Sequence, residues 1–184
     1  MAGKYYIDNV KFYDELVIFL DACKKAEAAG EELPRVPEYV GECFMLLARN
    51  MGKAPNFSRY PFLQDMQSDA VINCVKYVRN FDPSPDRGKN PFAYFSQYVK
   101  NAFLQRIRLE KKSLYTRYKE YQSFCVSEQL EGLEGYGPPE LNEISNSFIR
   151  HFEDQLEREK IKKKLNRAKQ SNTLSKYFED ENNE

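Results

Sequence analysis

The chain of 184 residues has no tryptophan, a single histidine and only eight glycines. So few glycines argue against a glycine-rich phosphate-binding enzyme and against a β-sandwich with many turns. No apolar run approaches the roughly 20 residues that span a bilayer, and the N-terminal MAGKYYIDN lacks the apolar core of a signal peptide. Lys plus Arg and Asp plus Glu each number 28, which excludes a strongly basic nucleic-acid coat protein.

Signals for catalysis are equally scarce. The cysteines Cys23, Cys43, Cys74 and Cys125 form no CxxC pair, so we expect buried, reduced thiols in a cytosolic compartment and no zinc ribbon. His151 lies in the charged stretch IRHFEDQ, where a solvated helix residue is expected rather than a catalytic base. No GxGxxG, Walker, HExxH or EF-hand pattern is present. The sequence therefore predicts a protein that is not an enzyme and needs no metal or cofactor.

The apolar residues recur with helical spacing through most of the chain. This pattern predicts five helices, over 8–29, over 38–51, from near Pro61 onward, from Pro91 to about Lys112, and over 143–168. In the first of them, Asp8 or Asn9 is the predicted N-cap and Gly30 the predicted stop. The proline-containing stretches 82–90 and 126–142 are predicted loops. The fold class is therefore predicted to be all-α, with a compact helical domain and a flexible C-terminal extension.

The segment from Pro91 onward has two distinct faces on a helical wheel. Its core face consists of Phe92, Phe95, Val99, Ala102, Phe103 and Ile107. A second stripe carries rings, amides and a cation: Tyr94, Tyr98, Asn101, Gln105 and Arg108, with Gln97 at its edge. Residues 98–120 hold seven Lys and Arg against two acids, a net charge of +5 in a neutral chain. Rings stack on unpaired bases, amides bond to base edges and cations bind phosphates. The stripe thus favours nucleic-acid binding, with a protein-binding surface or a solvated face as alternatives.

The run QDMQSDAVINCVKYVRNF, a loop and then NPFAYFSQYVKNAFLQRIR resembles the second conserved region of bacterial sigma factors. It is most similar to the late-transcription sigma factors of T-even-type tailed bacteriophages. The resemblance covers about residues 5–124 and, more weakly, the final dozen. It implies a sigma region-two-like domain at 5–124, a linker at 125–142, a charged helix at 143–169 and a tail at 170–184.

The resemblance also implies a polymerase-binding surface on the helix before the loop. In sigma factors this helix docks on the coiled coil of the largest subunit of core RNA polymerase. The matching positions here are Asp65, Met66, Ser68, Asp69, Val71 and Val75. Ser68 replaces a glutamine of primary sigma factors. Acidic residues in the first turns of a helix also have an ordinary role, because they favour the helix dipole.

The following helix matches the segment that melts the minus-ten promoter element and captures its non-template strand. Phe81 and Tyr94 match aromatic positions, and Gln97-Tyr98 stands where some family members carry a Trp-Trp wedge. Lys100 and Asn101 replace an Arg-Gln pair, and Leu104 and Gln105 follow one turn later. Arg108 completes the predicted DNA-binding set. Extruding bases costs a few kcal/mol, which ring stacking can largely offset.

Two further segments follow the region of resemblance. In the phage family a C-terminal peptide binds the DNA sliding clamp, and Leu174, Tyr177 and Phe178, followed by acids, are similar to it. An apolar cluster with acids suits a hydrophobic pocket with a basic rim. Residues 158–169 hold seven Lys and Arg against one acid. This basic segment fits either nonspecific contact with DNA backbone or a solvated helix face.

The sequence therefore predicts a phage-type late sigma factor in the cytoplasm of an infected bacterium. Its predicted partners are core RNA polymerase, the non-template strand of promoter DNA and the sliding clamp, with a late co-activator as a further candidate and no membrane. One rival is a polymerase-binding co-activator or inhibitor of the same fold that does not open promoters. Another is a nonspecific single-strand-binding helical protein.

Overall fold

The computed structural model describes residues 6–84, 90–130 and 139–180, with only the main chain described at 126–130 and 170–180 and no side chain described for Pro139. Within these ranges it contains five α-helices, one short 3-10 helix and no strand. The α-helices are α1 (Asn9–Ala29), α2 (Glu38–Gly52), α3 (Leu63–Tyr77), α4 (Pro91–Leu130) and α5 (Pro139–Asp180), and the 3-10 helix is Val78–Asn80. The predicted all-α class is confirmed.

The ends of α1 follow from local chemistry that the sequence already shows. Asp8 is the N-cap, and its Oδ1 accepts hydrogen bonds from the main-chain N–H groups of Val10 and Lys11 at 3.0 and 3.2 Å. Gly30 ends the helix with φ of +70°, a left-handed conformation that favours glycine because it has no Cβ. The predicted boundaries of this helix are therefore confirmed.

Four other helix boundaries differ from the prediction. The last helix, α5, continues to Asp180 instead of ending near residue 168, so the main chain of the predicted tail is helical as far as Asp180. The third helix begins at Leu63, after a turn that contains Pro61. α4 continues to Leu130 instead of ending near Lys112, since no glycine or proline interrupts the sequence before Gly132. α5 starts at Pro139, where the first turn of a helix tolerates proline. Both ends of the predicted linker 125–142 are thus helical, and its middle, residues 131–138, lies outside the described part.

The chain divides into two compact units, Met1–Leu109 and Glu110–Glu184. In the first unit, α2 packs against both α1 and α3, and phenylalanines form the centre of the core. The rings of Phe44 and Phe95 lie 4.7 Å apart between centroids, and Phe12 lies 6.0 Å from Phe44 and 5.7 Å from Phe95. These three side chains belong to α1, α2 and α4 and pack together, so Phe95 lies on the buried side of α4.

The second unit contains a pairing of α4 with α5 through aromatic rings and one charged cluster. The ring of Tyr115 stacks on that of Phe152, with centroids 4.8 Å apart, and Tyr118 contacts Phe148 edge-on at 5.4 Å. The Tyr115 hydroxyl donates to a Glu153 carboxylate oxygen at 2.9 Å, and Lys119 Nζ lies 2.9 Å from the same oxygen. Lys119 and Tyr115 lower the pKa of Glu153, so its carboxylate is ionised at neutral pH.

The cysteines are free thiols, as predicted, and Cys23, Cys43 and Cys74 are buried. Burial raises the pKa of Cys74 to about 12, so that thiol stays protonated near neutral pH. Cys125 is only partly buried, which differs from the prediction. Among the described residues, no helix combines the length and apolarity that crossing a membrane would require.

Candidate functional site

The start of α4 is held by two asparagine side chains. Asn90 Oδ1 accepts from the main-chain N–H of Ala93 at 3.0 Å, and Asn9 Oδ1, from α1, accepts from that of Phe92 at 3.1 Å. These bonds satisfy donors that the first turn of a helix cannot satisfy itself. From this fixed start, Phe95, Val99, Ala102, Phe103 and Ile107 are buried, and Phe92 is partly buried. The predicted core face is confirmed, so the second stripe lies on another side of the same helix.

Tyr94 and Tyr98 form a pair on this second side, half-buried at the edge of the core. Their hydroxyl oxygens lie 3.1 Å apart and their ring centroids 4.9 Å apart. Desolvation by burial and the hydrogen bond to Tyr98 raise the pKa of Tyr94, so its hydroxyl stays protonated at physiological pH. Neither ring is enclosed in the interior, and each retains exposed surface.

A third tyrosine, contributed by α3, extends this pair. The ring of Tyr77 lies 5.8 Å from that of Tyr98, and Lys76 Nζ lies 5.4 Å from the centre of the Tyr77 ring. The helical spacing of α3 places Tyr77 with the core residues, yet its side chain is 36% exposed. The contact joins residues from two helices, so no local sequence pattern reveals it. We call the three rings Tyr94, Tyr98 and Tyr77 the tyrosine row.

Amides and cations continue the outer side of α4 beyond the tyrosine row. Gln97 Nε2 donates to Asn101 Oδ1 at 2.9 Å, and both side chains are exposed. Each amide has further donors or acceptors with which to bond to a base edge. The remaining predicted DNA contacts on this helix are also exposed: Lys100, Leu104, Gln105 and Arg108. The first unit therefore brings rings, amides and cations to one continuous surface.

Burial corrects two of the predicted contact residues. Phe81 is only 5% exposed and its ring packs against those of Tyr13, Tyr94 and Phe95. Met66 is fully buried in the same core. Neither side chain can reach a partner directly in this conformation, because other side chains cover it. Phe81 instead packs against Tyr94, with ring centroids 5.2 Å apart.

The outer side of α3 carries the other predicted contact residues. Asp65, Ser68 and Val75 are exposed and Val71 is partly exposed, while the Ser68 hydroxyl donates to the Gln64 carbonyl at 3.0 Å. Ile72, 61% exposed, and Met45 of α2 line a shallow groove together with Val71. Ile72 and Met45 were not predicted. The groove is also lined by Ala48, Arg49, Gln67 and Ser68, so its surface is partly apolar and partly polar.

Asp69 has an intramolecular partner that the sequence does not reveal. Its two carboxylate oxygens accept from Nε and Nη2 of Arg106 at 2.7 and 3.0 Å. This two-point ion pair joins α3 to α4 and is about one-third exposed on the Asp69 side. Two parallel charge-assisted bonds fix both side chains. Asp69 is therefore a connection between the two candidate surfaces as well as a predicted polymerase contact.

Other predicted residues lie outside these surfaces. At Leu174, Tyr177 and Phe178 the main chain is helical, and their side chains are outside the described part, so clamp binding stays a prediction. His151 is exposed, as predicted, and its Nε2 lies 3.2 Å from Gln155 Nε2. Among the residues described, no cluster of three or more His, Cys, Asp or Glu is placed to hold a metal ion.

The comparisons with known proteins do not assign this chain to a family. A scan against protein-family models gives no match, and a comparison with curated proteins gives no significant match.

Proposed function

We propose that this chain is a sigma-type transcription initiation factor. It recruits a bacterial core RNA polymerase to an AT-rich promoter element and opens the DNA duplex of that element. The observation that carries the proposal is the tyrosine row beside exposed Gln97, Asn101 and Lys100 on a core-supported helix. Such a surface can hold an unpaired strand by stacking its bases on rings, bonding to base edges and neutralising phosphates.

In this proposal Tyr98 is the wedge at the edge of the melted region. Its ring contacts those of both Tyr94 and Tyr77, so a base stacked on any of the three has a neighbouring ring close by. The exposed amides of Gln97 and Asn101 then contact the adjacent base edges, and Lys100 and Arg108 contact the backbone. The gain from stacking is about 1–3 kcal/mol per base, comparable to the cost of extruding it.

The outer side of α3 is the proposed polymerase-binding surface. Asp65 supplies a carboxylate at the start of the helix, and Val75, Ile72 and Met45 supply exposed apolar area. A basic coiled coil would meet the carboxylate at a polar rim while apolar side chains fill the centre. Since α3 also contributes Tyr77, polymerase binding and strand capture would use neighbouring parts of one unit.

Run-off transcription tests the whole proposal. The full-length chain is added to bacterial core polymerase on AT-rich templates, and permanganate footprinting reports unpaired thymines. We expect initiation at discrete sites, with a footprint that needs both the chain and the polymerase. Polymerase binding without a footprint would favour the rival, a co-activator or inhibitor that does not open promoters. Tight binding of single strands without polymerase would favour the single-strand-binding rival.

Replacing Asp65 by alanine is expected to weaken polymerase binding and leave opening by each bound complex unchanged. The exposed carboxylate would lose an ion pair at a partly solvated rim, so affinity should fall roughly three- to tenfold. The measurement is a pull-down titration of core polymerase followed by footprinting at saturation. Asp21→Ala, another exposed acid of the first unit, is the matched control and should bind as wild type. An equal loss of polymerase affinity in both variants would contradict the assignment of α3 as the binding surface.

Deleting residues 173–184 is expected to abolish stimulation by a DNA sliding clamp while basal initiation continues. The expectation rests on Leu174, Tyr177 and Phe178 as an apolar peptide for a clamp pocket, and the first unit with its tyrosine row is untouched. Run-off transcription with and without loaded clamp measures both quantities. Loss of basal initiation in the truncated chain would contradict the tether and assign the tail another role.

A further inference from the structure

A stretch of α5 carries unusual charge for a neutral chain. Between Arg158 and Arg167 there are six Lys and Arg against the single acid Glu159, a net charge of +5 in ten residues. The main chain is helical throughout this stretch, and every side chain in it is exposed. The stretch therefore presents its cations to solvent.

The six cations fall into two flanks of the helix. Lys160, Lys163, Lys164 and Arg167 follow an i, i+3, i+4, i+7 pattern and occupy about 100° of arc at 100° per residue. Arg158 and Lys162 lie on the opposite flank. Between the flanks, on one side, lie the exposed Ile161 and Leu165, 53% and 56% accessible. We call this arrangement the double-flanked helix.

The ion pairs formed among the described residues do not include the cations of the double-flanked helix. Elsewhere in the second unit Lys119 is paired with Glu153, and in the first unit Arg106 is paired with Asp69. In contrast, no carboxylate among the described residues forms an ion pair with any of the six cations from Arg158 to Arg167. Holding six unpaired like charges close together favours binding of a polyanion.

We propose that the double-flanked helix binds the phosphate backbone of duplex DNA, independently of sequence. An α-helix with its side chains is about 10–12 Å across, which matches a major groove about 12 Å wide. A helix seated there places one cationic flank toward each phosphate strand. The apolar side between the flanks then faces the groove floor, where Ile161 and Leu165 can contact thymine methyl groups.

Charge and apolar area favour DNA over the other polyanionic surfaces. Only two large apolar side chains lie between the flanks, whereas interfacial membrane helices insert a broad apolar face. An acidic protein would have to match two opposite cationic flanks at once. Duplex DNA carries one charge per about 1.7 Å of its axis and presents phosphates on both sides of a groove. Its phosphates can therefore pair with the cations of both flanks.

Fluorescence anisotropy with the free full-length chain tests this proposal without polymerase or promoter sequence. The probe is a labelled duplex that contains no AT-rich promoter element, titrated between 50 and 200 mM salt. The wild-type chain should bind in the range typical of nonspecific contact, about 10⁻⁴–10⁻⁶ M, with a steep dependence on salt. The test variant is K160Q/K163Q/K164Q/R167Q. The control, with the same change of net charge on exposed cations of the first unit, is K24Q/K25Q/R35Q/K53Q.

We expect the test variant to lose at least about tenfold in affinity at low salt, and its slope of log K against log salt to fall by about 3–4, near 0.9 per lost phosphate contact. The control should retain most of both. Equal losses in the two variants, or wild-type binding by the test variant, would overturn the proposal. Variant-sensitive binding to anionic vesicles of phosphatidylserine and phosphatidylcholine, with no binding to the duplex, would overturn it in favour of a membrane surface. Promoter opening is measured separately, so failure of one proposal leaves the other standing.

Discussion

Replacing Tyr98 by alanine is expected to reduce promoter opening by roughly tenfold or more while polymerase binding changes little. The ring sits at the centre of the tyrosine row, in contact with Tyr94 and Tyr77. Stacking on one base contributes about 1–3 kcal/mol by alanine substitution, and about 1.4 kcal/mol corresponds to a factor of ten. Permanganate reactivity at saturating polymerase measures the loss directly.

Two control variants separate stacking from folding. Tyr98→Phe keeps the ring and removes only the hydroxyl that lies 3.1 Å from that of Tyr94, so it should retain most of the opening activity. Tyr60→Ala removes another half-buried tyrosine, which contacts Phe62 in the turn before α3, and should leave opening by bound complexes near wild type. Equal defects in Tyr98→Ala and Tyr60→Ala would mean that the ring has no specific role in strand capture.

Replacing Phe95 by alanine is expected to cause the largest loss of stability among the changes considered. The side chain is fully buried and its ring contacts those of Phe12, Phe44, Phe81, Tyr94 and Tyr98. Truncating such a residue costs about 3–5 kcal/mol in the free energy of unfolding. The midpoint of thermal unfolding of the first unit should therefore fall by more than about 10 °C.

Circular dichroism melts of wild type, Phe95→Ala and Phe95→Leu measure this effect. The leucine variant fills much of the space and should lose less than half as much stability as the alanine variant. If Phe95→Ala melted within a few degrees of wild type, the arrangement of α1, α2 and α4 around this ring would be wrong. The position of the tyrosine row at the surface, which depends on that packing, would then also be wrong.

Properties set by neighbouring residues along one helix could be predicted from the sequence. The cap at Asp8, the stop at Gly30 and the buried side of α4 depend on local hydrogen bonding and on helical spacing, and all three were predicted. The exposure of Gln97, Lys100 and Asn101 follows from the same spacing. Continuation of α4 to Leu130 was missed because helix-compatible sequence does not itself mark an end.

Features that depend on contacts between helices could not be read from spacing. Tyr77 shares a face with core residues of α3, yet it is partly exposed and its ring contacts that of Tyr98 on α4. Phe81 lies next to a loop and was predicted to contact DNA, but packing against Tyr13 and Tyr94 buries it. The pairing of Asp69 with Arg106 joins residues on separate helices. Each of these outcomes needs the tertiary structure.

The contacts around Tyr98 have a consequence for binding entropy. Its ring contacts those of Tyr94 and Tyr77, and its hydroxyl shares a hydrogen bond with that of Tyr94. Ordering a free side chain on association costs about 0.5–1.5 kcal/mol. Since these contacts form when the first unit folds, a strand bound as proposed would meet side chains that are already ordered and would lose little affinity to side-chain ordering.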